Sequence, residues 1–161
     1  MTDGIEFAEL LAYTDEETAR WKQWFHRHPE ALDLPIDIAD AGTVRRLVKH
    51  ILFVELHFSN LLLGIPAADF DSLPDGSVGE LFRIAEEASS RYQKFFATAR
   101  DQDWKTWVEL GRIGLKASKR KLITQALTHS IRHWAQLSTF LRRNGLKQDW
   151  THDFLMSKAM E

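Results

Sequence analysis

An all-α four-helix bundle is the fold that this sequence predicts, on three observations. Four stretches repeat their apolar residues with the period of a helix, and none alternates like a strand. Most of the Gly and Pro falls in the connections between those stretches. The 161 residues suit one domain, residues 1–161, of a size that buries roughly 70% of its unfolded surface.

The first stretch carries Phe7, Leu10, Leu11, Thr14, Thr18, Trp21 and Phe25, and a connection from Pro29 to Ala41 ends it. The second carries Val44, Leu47, Val48, Ile51, Val54, Phe58, Leu61 and Leu62, followed by a connection from Gly64 to Gly76. Ser77-Val-Gly-Glu80 opens the third as a capping box, in which Ser and Glu satisfy each other's backbone donors. Its apolar row runs Val78, Leu81, Phe82, Ala85, Tyr92, Phe95, Phe96 and Ala99. From Asp101 to Ala117 the pattern weakens: Gly111 and Gly114 argue against a long helix, leaving a short hairpin or an irregular crossover. The last stretch starts behind Ser118, a suitable N-cap, runs Leu122, Ala126, Ser130, Leu137, Phe140 and Leu141, and stops at Asn144-Gly145. Each is about 20 residues or longer, enough to share one bundle core.

Composition excludes several classes of function. With 21 basic and 23 acidic residues the net charge is -2, so nucleic acid is not an expected partner. The basic run Lys116 to Lys121 lacks interleaved aromatics and reads as a solvated helix start. The longest apolar stretch, Leu61 to Ala68, contains Gly64 and Pro66 and is far short of a span, so no membrane partner is expected. Zero cysteine removes disulfide scaffolds, thiolate metal sites and a Cys nucleophile, and fits a reducing cytoplasm. The start of the chain shows no basic, apolar leader, which agrees with a cytoplasmic expectation.

What the sequence has instead is seven histidines. His129 and His133 are four residues apart, so they stack on one helix face, and that face is the apolar stripe rather than the charged one. His50 lies beside Leu47, Ile51 and Val54 on the stripe of the second helix, and His57 follows two turns on. Core positions do not carry imidazoles without partners for the ring nitrogens. Three of them converging in a bundle core form a facial triad that leaves coordination positions open. The residues between His129 and His133 are Ser130, Ile131 and Arg132, with no Glu as general base, so this is not a zincin protease motif. Glu55 lies about 140° around the helix from His50 and is no obvious base either; no catalytic residue is identified. His57 reads as a pocket wall, His26 and His28 as capping or surface residues, and His152 as part of a solvated tail. Trp21 and Trp134 are candidate pocket aromatics.

These stretches resemble the DinB/YfiT-like metalloenzyme family. The matching segments are Glu9-Leu-Leu-Ala-Tyr13, Val48-Lys-His50-Ile51, His129-Ser-Ile-Arg-His133-Trp-Ala-Gln136 and Phe140-Leu-Arg-Arg-Asn-Gly145. The resemblance covers nearly the whole chain and implies a four-helix bundle with a long overhand connection between helices 2 and 3. It makes His50, His129 and His133 the ligands of a divalent transition metal, zinc or nickel, and places Gln136 beside them, one turn beyond His133. Where the family carries Arg-Gly after the second His, this chain has Trp134-Ala135, which removes a cation and adds an apolar wall. Characterised relatives include transferases and isomerases that use a low-molecular-weight thiol. The expected activity is therefore a thiol-dependent S-transfer to a small-molecule electrophile, with the thiol supplied by a cosubstrate, in a chain that forms a homodimer. Two other readings stay open: a non-catalytic helical interaction module, and a metal-dependent hydrolase.

Overall fold

The computed structural model describes residues 4–111 and 114–160. Four long helices, α1 (Phe7–Arg27), α2 (Val44–Leu63), α3 (Val78–Thr98) and α5 (Lys119–Arg143), form the bundle, and a one-turn helix α4 (Asp101–Trp104) precedes the last. Each starts or stops where the side chains provide for it. Thr43 Oγ1 accepts from the Arg46 amide at 3.3 Å and Gly64, at φ 69°, closes α2 in the left-handed region. Ser77 and Glu80 form the expected capping box, with Ser77 N donating to Glu80 Oε2 at 2.9 Å. Ser118 Oγ caps α5 by accepting from the Lys121 amide at 3.2 Å.

Cross-helix contacts fix the topology. α2 and α5 run antiparallel, with His50 near His129 and His133 and Glu55 near Ser130. α1 and α3 also run antiparallel, through Asp15 with Ser89 and Lys22 with Glu86. By contrast α2 and α3 are parallel. The connection 64–77 leaves the end of α2 and returns to its start, where Arg45 donates to the Asp75 carbonyl at 2.8 Å and Lys49 Nζ meets Asp75 Oδ2 at 3.1 Å. Farther along the pair, Tyr92 Oη donates to the Glu55 carbonyl at 3.0 Å. This is the overhand connection that the resemblance implies, and it makes the bundle up-down-down-up. α2 is the best-buried helix: Val44, Leu47, Val48, Ile51 and Leu52 are all fully covered, because it packs on both α3 and α5. At the other side of the core Trp21 of α1 stacks on Trp134 of α5 with centroids 5.1 Å apart. Both are core residues, 0% and 2% exposed, and Trp134 borders a small cavity of about 60 Å³.

Between α1 and α2 a 3-10 turn (Pro29–Asp33) leads into a two-residue ribbon, β1 (Pro35–Ile36) with β2 (Gly42–Thr43). The segment that the sequence left open resolves into a hairpin, β3 (Trp107–Leu110) with β4 (Leu115–Ser118), antiparallel with Trp107 opposite Ser118 and Leu110 opposite Leu115. Residues 112 and 113 lie outside the described residues. Trp104 anchors the hairpin's base by stacking between Phe7 and Phe96, at 5.4 and 5.8 Å.

The C-terminal segment corrects one expectation. His152 is not in a solvated tail: residues 146–160 fold back across α1, and its ring stacks on Trp21 at 5.5 Å. The cause is Glu17, only 5% exposed on α1, whose carboxylate needs donors in so covered a position. His152 Nδ1 and Trp150 Nε1 both approach it, the latter at 3.1 Å. Among the described residues no helix is long and apolar enough to cross a membrane.

Candidate metal centre

Two helices bring three imidazoles together. His129 and His133 follow each other on the inner face of α5, and His50 faces them from α2. One nitrogen from each ring lies within 4.8 Å of the other two, the one group of three or more potential ligands of this kind among the described residues. His50 Nε2 and His129 Nε2 are 3.0 Å apart; two donors on one tetrahedral ion would stand about 3.3 Å apart at ordinary zinc–nitrogen lengths. His129 and His133 are 7% and 5% exposed, while His50 is half-buried and forms the accessible side.

Burial is the first cause of every titration shift at the site. It lowers the His50 pKa, helped by the nearby His133 and Arg132 charges. It takes His129 down to about 3, with His133, His50 and Arg132 adding to the effect. For His133 burial again lowers the value, a hydrogen bond to Gln136 partly offsets it, and Arg132 lowers it further. All three rings are therefore neutral at neutral pH, the protonation state that ligates metal. Gln136 Oε1 accepts from His133 Nδ1 at 2.7 Å, which leaves the lone pair of that ring on Nε2. The His129 Nδ1 atom is buried with no hydrogen-bond partner. Three neutral imidazoles with no thiolate among them fit a divalent transition metal.

Around the three rings the surface is aromatic and cationic. Phe70, from the overhand connection, packs edge-on against Phe53 at 5.3 Å, and the Lys49 and Arg46 head groups sit over its ring at 4.8 and 5.2 Å. His57 is not brought into the group of three; it lies against Phe53 and Phe58 of its own helix at 5.4 and 5.6 Å. Arg132, which the sequence reading passed over, has its Nη2 3.5 Å from His133 Nε2. Its position directly before His133 places it near the site but does not aim its guanidinium. Glu55 is fully buried, hydrogen-bonded by Ser130, and burial pushes its carboxyl up to about 8. It is not in the group of candidate ligands. His26 is exposed on the last turn of α1, and His28 caps that turn and packs on Trp24 at 4.5 Å.

The sequence profile of the DinB family matches residues 1–160 of the chain. No curated protein matches it. Among solved structures, the crystal structure of a DinB-like protein from Bacillus subtilis superposes with a TM-score of 0.62 at 17% identity, covering 91% of this chain and 96% of that one.

Proposed function

Since the chain belongs to the DinB family, we propose that it is a divalent-metal-dependent enzyme in which His50, His129 and His133 hold the ion, zinc or nickel. Its reaction is the transfer of a low-molecular-weight thiol to a small electrophile. The observation that carries this reading is the group of three neutral imidazole nitrogens within 4.8 Å, contributed by two helices and free of any carboxylate. Three protein donors leave coordination positions for an incoming molecule. A divalent ion held there supplies Lewis acidity that lowers the pKa of a thiol. The chain has no cysteine, so the sulfur arrives with the cosubstrate: the S–H proton is lost, a C–S bond forms, and the electrophile's leaving group departs.

Within the protein the division of labour follows the hydrogen bonds. Gln136 fixes the tautomer and orientation of His133. Phe53 and Phe70 offer an apolar wall beside His50. The absence of cysteine also supports work in a reducing cytoplasm. The exposed Trp107 of the hairpin, 68% accessible, supports a homodimer through its side of the ribbon.

Metal analysis of tag-free protein tests the central claim. Wild type should carry about one equivalent of a divalent transition metal, and His129→Ala or His133→Ala should carry almost none. Conjugation of glutathione to 1-chloro-2,4-dinitrobenzene should follow the metal content across these proteins. Wild type that neither contains nor takes up a divalent ion would overturn the reading.

A further inference from the structure

We propose that Arg132 is a specificity-determining residue of this centre, receiving a carboxylate of the small molecule that enters beside the three histidines. The inference rests on the metal reading above and names a chemical feature of what that site accepts.

Arg132 is exposed at the mouth of the site, with Nη2 3.5 Å from His133 Nε2, the one ring nitrogen of His133 left free by Gln136. Several arginines of this chain are paired: Arg20 with Glu16, Arg27 with Asp149, Arg45 with Asp33 and Arg91 with Glu87. Among the described residues Arg132 has no acidic partner. By Coulomb repulsion its charge, beside His133, opposes a divalent cation in that place. A guanidinium against the ligand atoms of a cation site is unfavourable until an anion comes between the two charges, and then both charges attract it.

The geometry also selects the anion. The guanidinium presents parallel N–H donors in a plane, matched by the two oxygens of a carboxylate. A neutral thiol offers no such group.

Cobalt(II)-loaded protein supplies a visible spectrum that reports ligands entering the site without any turnover. Wild type, Arg132→Gln and Arg132→Lys would be titrated with mercaptoacetate, 2-mercaptoethanol and acetate, with cobalt affinity measured in anion-poor buffer. Arg132→Gln should bind cobalt as tightly as wild type or more tightly, while its Kd for mercaptoacetate rises about tenfold or more. Its Kd for 2-mercaptoethanol should stay within about twofold, and Arg132→Lys should recover part of the loss. Acetate, which carries the carboxylate without a thiol, should weaken in parallel with mercaptoacetate. Unchanged mercaptoacetate binding, equal weakening of both thiols, or loss of cobalt from Arg132→Gln would overturn the assignment and leave the metal centre standing. Wild type that takes up no cobalt would instead remove the metal reading, and this one with it.

Discussion

Glu55 shows how a single residue couples the core to pH. The folded chain keeps its carboxyl protonated up to about 8, whereas the ordinary value is 4.5. Between these two values the unfolded chain has released a proton that the folded chain retains, so stability falls as pH rises, by up to about 1.4 kcal/mol per unit. The contribution is complete below the lower value and lost above the upper one. Glu55→Gln lacks this titration, so its urea midpoint should gain on that of wild type between about pH 5 and pH 8. The angle of Glu55 from His50 was readable in advance, because helical geometry fixes it. So was the pairing of His129 with His133, where four-residue spacing and an apolar stripe coincide. Arg132 was legible only once the ring of His133 had an orientation: periodicity assigns a residue to a face, not a guanidinium to a particular nitrogen. The pairing of Glu17 with His152 was not legible at all, since they are 135 residues apart and no periodic signal links them.

At the scale of the element, capping chemistry explains why helix limits were read well. Ser77→Ala removes the acceptor of the Glu80 amide, 3.2 Å from Ser77 Oγ, and should cost about 1 kcal/mol in urea unfolding, with no change in metal content. The same signals mark Ser118 and Gly64. They could not decide the stretch 101–117, where glycines punctuate the chain but several conformations satisfy them. What selects the hairpin is tertiary: Trp104 enters the Phe7 and Phe96 stack, and Lys119 N donates to the Thr106 carbonyl at 2.9 Å, closing the base of the ribbon. The overhand connection has a similar origin. Its length permits a parallel α2–α3 pair, and Asp75 meeting both Arg45 and Lys49 secures it.

Over the whole molecule, the docked C-terminal segment ties α1 to α5. Ser138 of α5 contacts Gln148 and His152, at 2.9 and 3.1 Å, while Glu17 of α1 holds Trp150 and His152. Glu17→Ala leaves the Trp150 and His152 donors without their acceptor, so it should cost about 1–3 kcal/mol. Limited proteolysis should then cut within 146–160 faster than in wild type, with the bundle left intact. The two helices of the metal centre are joined differently. His50 and His129 stand 79 residues apart, and α3 and the hairpin intervene between them. On a translating ribosome the first of these histidines waits for its companions until α5 has been made. No nascent fragment that ends short of His129 can display even two of the three nitrogens. Under the proposed function, ion acquisition would be deferred until then, and a loaded molecule would certify that α5 has been made and has found its place.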